Sequence, residues 1–77
     1  MMPVSMDDIK KIIGLQLGKR VVGDSDRLVE DLGAESADVA NIVAAAEDKY
    51  AITVKESEIA RIITAQDLFN LVMKHTQ

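Results

Sequence analysis

A chain of 77 residues with a formal net charge of −4, no cysteine and no tryptophan has material for one small domain and none for a second core. The missing cysteines exclude a disulfide framework and any thiolate metal site. The acidic balance argues against nucleic acid as the main partner, and no uncharged stretch approaches the length of a membrane span. The same balance favours basic protein partners, steered by the long-range field, and the cysteine-free composition fits the cytoplasm. Tyr50 and Phe69 are the only aromatic residues, so the interior is expected to be aliphatic.

Apolar residues recur with helical rather than alternating spacing. Met6, Ile9, Ile12, Ile13 and Leu17 form one stripe at three- and four-residue steps, which predicts a first helix over Ser5 to Leu17. Ser5 with Asp8 three residues on has the form of a capping box, and Gly18 stands where a helix stop is expected. Charges at Asp7, Asp8, Lys10 and Lys11 set this segment apart from a signal peptide. A long connection follows from Gly18 to Glu35. Lys19, Arg20, Gly23, Asp24, Ser25 and Asp26 give its first half turn chemistry. Val21, Val22, Leu28, Val29 and Leu32 predict that it packs back on the rest of the chain. Arg27 to Leu32 is read as a short turn of helix. Asp24-Ser25-Asp26 is read as a turn with Asx-type hydrogen bonds. A calcium loop would need an oxygen ligand at Leu28 and a glycine at Val29, and neither residue serves.

The clearest pattern is in the second helix, where Val39, Ile42, Val43, Ala46 and Tyr50 share a face while Asp38, Asn41, Glu47, Asp48 and Lys49 lie largely elsewhere. Glu35 and Asp38 put negative charge near its first turn, where the helix dipole favours it. Ala44-Ala45-Ala46 is strongly helix-forming and small enough for another helix or a ligand to come close. Ala51 to Val54 is read as an extended linker, because no second strand exists to pair with it. Lys55 to Ile62 reads as a short third helix. Thr64-Ala65-Gln66-Asp67 then opens a last helix with Leu68, Leu71 and Val72 on one face, Ala65 and Phe69 beside it, and Lys74 and His75 complementing the dipole in its last turn. His75 is read as a surface residue. The expected architecture is an all-α four-helix bundle, three longer helices and one short one with a long first loop, spanning residues 1–77 as a single domain.

The residues offer little catalytic chemistry. One histidine and no cysteine leave no His/Cys metal cluster. No Gly-x-Ser-x-Gly elbow surrounds Ser36, since Ala37 and Asp38 follow it. The four glycines are scattered singly, so no phosphate-cradling loop is present. No catalytic residue and no metal ligand is expected. What stands out is Ser36, just after Gly33 and at the mouth of the second helix. It admits two readings: an ordinary N-cap accepting an early helical N–H, or the carrier of a covalently attached anion that the helix N-terminus stabilises.

Asp31-Leu32-Gly33-Ala34-Glu35-Ser36-Ala37-Asp38-Val39 resembles the attachment motif of acyl carrier proteins, Asp-Leu-Gly-Ala/Gly-Asp-Ser-Leu-Asp. Glu47 to Val54 is similar to that family's acidic and aromatic segment followed by Gly-Ile-x-Ile. Ile63 to Leu68 resembles its Ile-x-Thr-Val-x-Asp lead into the last helix. Three motifs in register cover nearly the whole chain. The resemblance implies that Ser36 Oγ carries 4'-phosphopantetheine, placed there by a phosphopantetheinyl transferase. It also implies that acyl groups ride as thioesters on this arm to acyl-transferring and acyl-modifying enzymes of fatty-acid, lipid or polyketide-type synthesis. Glu35, Ala37, Asp38, Asn41, Glu47 and Asp48 are then the expected partner-recognition residues, and the carrier is expected to act as a cytoplasmic monomer. Four departures are notable: Glu35 for Asp, Ala37 for the apolar Leu, and Asn41 and Lys49 where acids are frequent. They suggest a specialised carrier with a dedicated partner set. The competing reading is an unmodified carrier-like interaction module in which Ser36 only caps its helix.

Overall fold

The computed structural model describes residues 3–77; Met1 and Met2 lie outside the described residues. Four helices follow in order: α1 (Met6–Leu17), α2 (Ser36–Tyr50), α3 (Glu56–Ile59) and α4 (Ala65–Thr76). The first helix is capped by Ser5, in extended geometry with its hydroxyl accepting the Asp8 N–H at 3.1 Å, while the Asp8 half of the expected capping box is not formed. It stops at Gly18, whose φ of 67° is the left-handed conformation that glycine adopts without a side-chain clash.

The three longer helices bury aliphatic stripes against one another. α1 packs on α2 and α4, and α3 lies against α2. Ile9 and Ile13 of α1, Ile42 and Val43 of α2, and Leu68 and Val72 of α4 are each 1 % exposed or less. Each such burial is worth about 1.5–3 kcal/mol over leaving the side chain in water. The buried core is aliphatic apart from Tyr50, as the scarcity of aromatic residues predicts.

The connection between α1 and α2 does pack back, and specific bonds hold it. Val22, Leu28 and Ala34 are buried in the core. Backbone hydrogen bonds then stitch the loop to the start of α4: Leu28 N–H to Ile63 O at 2.8 Å, Gln66 N–H to Asp24 O at 2.9 Å and Ala65 N–H to Asp26 O at 3.2 Å. Arg27 and Thr64 form an isolated antiparallel bridge there. The segment Arg27 to Leu32 coils through Asp31 N–H to Arg27 O and Gly33 N–H to Val29 O, a turn rather than a helix. It is too short to propagate, and Leu28 donates outward to Ile63 instead.

The third helix is shorter than Lys55 to Ile62. It ends at Ile59 and tightens into i→i+3 bonds from Arg61 to Glu58 and from Ile62 to Ile59. The following Ile63 is pulled into the α4 cap, its N–H donating to Asp67 Oδ2 at 3.0 Å and its carbonyl accepting from Leu28. That geometry cannot continue a helix. Ala51 to Val54 is a linker with neither helix nor strand, but it does not begin extended. Ala51 itself takes the left-handed conformation, φ 54° and ψ 46°, at the exit of α2. His75 is not a free surface residue: its Nε2 lies 3.0 Å from Glu58 and ties α4 to α3.

Candidate functional site

The turn before α2 is fixed on both sides of its glycine. Arg27 grips Asp31 through its backbone N–H at 2.9 Å and through Nε and Nη2 at 3.2 Å each, and also pairs with Glu30. Those hydrogen bonds hold the Asp31 carboxyl below the usual carboxylate range. Gly33 turns the chain at φ 73°, open to solvent where a Cβ would point, so the requirement for glycine there is conformational. Ala34 then dips into the core and donates its N–H to Leu28 O at 2.9 Å.

With the turn anchored, Glu35 is extended and Ser36 is the first helical residue. The cap is therefore Glu35 rather than Ser36. The capping group is the Asp38 carboxylate, which reaches back to accept the Glu35 N–H at 2.9 Å and also takes the Gln16 amide of α1 at 3.2 Å. These two bonds, the backbone one first, lower the Asp38 pKa. The reading of Ser36 as the N-cap is thus corrected: as the first helical residue it lies past the cap position, exposed and with no side-chain hydrogen-bond partner among the described residues. The first intrahelical bond runs from Val39 N–H to Glu35 O. The N–H groups of Ser36 and Ala37 therefore have no acceptor within the helix, at a start that carries partial positive charge.

Of the sequence-predicted recognition residues, Glu35, Ala37 and Asp38 stand around Ser36, the first two exposed and Asp38 half-buried. Asn41 lies one and a half turns further on. It lines a shallow cleft of about 210 Å³ between α1 and α2 with Ile12, Leu15, Gln16, Ile42 and Ala45. Glu47 and Asp48 sit at the far end of α2, about 16 Å along the axis from Ser36. Glu47 is half-buried and accepts the Val54 N–H at 2.9 Å, so it holds the α2–α3 linker in place. Asp48 is exposed. Asp31 was not among the expected site residues, although the Arg27-to-Asp31 spacing in a turn-rich loop is a readable sign of its role. No group of three histidine, cysteine or acidic side chains converges on a metal-sized site among the described residues.

The chemistry available here is that of an accessible, unengaged hydroxyl beside free helical N–H donors. An anion esterified to Ser36 Oγ would sit where those donors and the dipole favour negative charge, so the residues present fit such a group. The family model described as "Phosphopantetheine attachment site" matches residues 7–72. Among curated proteins, the acyl carrier protein of Campylobacter lari is 34% identical over 68 residues, covering 86% of this chain and 88% of that one. The acyl carrier protein of Wolinella succinogenes is 37% identical over 68 residues, covering 86% and 90%. Among solved structures, the Thermotoga maritima acyl carrier protein superposes with a TM-score of 0.78 at 29% identity, over 91% of this chain and 84% of that one. A 3-oxo-butyl carrier from the actinorhodin polyketide synthase of Streptomyces coelicolor shares the fold, with a TM-score of 0.79 at 22% identity over 99% and 95%.

Proposed function

The chain belongs to the acyl carrier protein family, the family of the phosphopantetheine attachment site, and from that membership we propose that Ser36 is the residue that carries the arm. Acyl carriers of this kind hold intermediates of fatty-acid or polyketide-type synthesis on a covalently attached 4'-phosphopantetheine and are carriers rather than catalysts. When bound, the arm supplies a terminal thiol whose thioester keeps an acyl group activated for transfer. The chain's own residues do the positioning. Arg27, Asp31 and Gly33 fix the turn, Ala34 anchors it in the core, and Asp38 closes the first helical turn. The observation that carries the assignment to Ser36 is its hydroxyl, exposed and without a partner because Ser36 is the first helical residue and Glu35 holds the cap position.

The partners of such a carrier are a phosphopantetheinyl transferase and acyl-handling enzymes. Glu35 and Asp38 offer them negative charge beside the serine, which steers basic docking surfaces. Ala37 and Asn41, both exposed, present less apolar surface and less charge than the family pattern, which supports a carrier with a dedicated partner set. Replacing Ala37→Leu together with Asn41→Asp is expected to raise the loading rate by generic fatty-acid enzymes several-fold; an unchanged rate contradicts the specialised reading.

Attachment is tested by incubating the purified chain with coenzyme A and a broad-specificity phosphopantetheinyl transferase, followed by intact mass measurement. One phosphopantetheine per chain is expected, and none in Ser36→Ala. A chain left unmodified under conditions that convert a control carrier contradicts the proposal.

A further inference from the structure

The C-terminal half of α1 and the loop that follows it enclose a second feature, unrelated to the capping chemistry of α2. The loop turns sharply back on the helix because Gly18 takes the left-handed conformation and Lys19 N–H returns to Gly14 O at 2.9 Å. Gly14 permits this approach: a Cβ there would lie 2.6 Å from the Lys19 carbonyl oxygen. The fold-back opens a groove of about 450 Å³ whose walls include Lys11, Leu15, Lys19, Arg20 and Val21.

Two properties of this groove go against the rest of the molecule. In a chain of net charge −4, Lys10, Lys11, Lys19 and Arg20 all line it, with Asp7 the single acid. Lys10 is paired with Asp24, but Lys11, Lys19 and Arg20 have no acidic partner among the described residues. Leu15 and Val21, at 86% and 83% exposed, are the two most exposed large apolar side chains among the described residues, and both stand at this groove. Exposed apolar side chains are ordinary when scattered; two at one concavity ringed by unpaired cations mark a place where something binds.

We propose that this groove is a docking site for an acidic segment of a partner protein, one that lays an apolar side chain between Leu15 and Val21 and carboxylates against Lys11, Lys19 and Arg20. Charge complementarity selects the occupant: three unpaired cations meet acidic side chains in register around an apolar contact, the pattern by which amphipathic segments settle into grooves. Concavity favours a protruding protein segment over a lipid surface, which presents no ridge to fill the hollow. Leu15 also borders the α1–α2 cleft that holds Asn41, and Gln16 beside it reaches Asp38. The basic groove and the acidic start of α2 are therefore neighbouring parts of one surface, and a partner can engage both. The inference rests on the groove alone and stands whether or not Ser36 is modified.

The test is a titration of the full 15N-labelled chain with a short acetylated peptide of alternating glutamate and leucine, read as amide shifts. The expected result is a set of perturbations centred on Lys11, Gly14, Leu15, Lys19, Arg20 and Val21 that weakens as salt is raised. Leu15→Ser, and Lys19→Glu with Arg20→Glu, are each expected to weaken binding about tenfold while leaving the thermal midpoint unchanged, since these side chains are exposed. The proposal is overturned by perturbations elsewhere, by equal binding of a lysine–leucine peptide, or by variants that bind as well as the parent. Two further results overturn it in favour of a different occupant. One is binding of vesicles of phosphatidylcholine with phosphatidylglycerol through the same residues when the peptide does not bind. The other is concentration-dependent shifts at these amides without peptide, which would make the occupant a second copy of the chain.

Discussion

At the start of α4 the Thr64 hydroxyl accepts the Asp67 N–H at 3.1 Å, and the Asp67 carboxylate returns to the Thr64 N–H at 2.9 Å. At the start of α2 the carboxylate half of this device is kept, with Asp38 on the Glu35 N–H, while the nearby hydroxyl, Ser36, sits one residue further in and takes no part. The two helix starts need the same thing, partners for orphan N–H groups. In α4 both side chains are used for stability and the threonine is half-buried. In α2 the acids Glu35 and Asp38 stand at the cap and the hydroxyl stays outside, available for chemistry. Position within the first turn, rather than residue type, separates a capping hydroxyl from a free one.

The sharpest way to break this contrast is to remove each hydroxyl. Ser36→Ala is expected to abolish phosphopantetheine loading completely while changing unfolding stability by no more than about 0.5 kcal/mol. Loss of folding in that variant would show that Ser36 is a cap after all. Thr64→Ala is expected to do the reverse, costing about 1 kcal/mol in urea unfolding while loading proceeds to completion.

These hydroxyls also show what the sequence conveys and where it misleads. Ser5 and Thr64 are legible as caps because an acid follows three residues later, at Asp8 and Asp67. The same interval ends at Asp38 when counted from Glu35, not from Ser36, so the position of the cap was readable. Serine's high frequency at N-caps drew attention to the wrong residue. The aliphatic stripes of α1, α2 and α4 were legible because packing in a bundle repeats with the helical period. The length of α3 was not, since the chain tightens into i→i+3 bonds after Ile59 and Ile63 is then held by Leu28 from a distant segment. Nor was the role of Glu47, whose bond to Val54 crosses a turn and leaves no periodic trace, and the groove beside α1 depends on a loop fold-back that spacing does not encode.

The far ends of the helices extend the comparison. α1 leaves through Gly18 in the left-handed conformation, and α2 leaves through Ala51 in nearly the same one. An alanine there carries a steric cost that glycine avoids. Ala51→Gly is accordingly expected to stabilise the fold by about 1 kcal/mol, read as a higher denaturant midpoint at unchanged slope. A lower midpoint would mean that the backbone entropy lost by glycine outweighs the relieved strain.

The smallest expected effect is on acid stability. Backbone hydrogen bonds lower the pKa of both Asp38 and Asp67 in the folded chain. Groups depressed in this way stabilise the fold fully above the ordinary carboxylate range, and the contribution is lost as pH falls through their folded values. Denaturant midpoints measured across that acid range are expected to fall with pH for the parent chain. They should fall less steeply for Asp38→Asn and for Asp67→Asn. Parallel slopes in all three proteins would contradict carboxylate capping at both helices.

The most direct measurement is tandem mass spectrometry of the chain after reaction with coenzyme A and a phosphopantetheinyl transferase, mapping the modified residue. The chain has four serines, Ser5, Ser25, Ser36 and Ser57, and Ser5 is already engaged as a cap. The result predicted is a single phosphopantetheine on the peptide containing Ser36, with Ser5, Ser25 and Ser57 unmodified. Modification at any other residue would contradict the account.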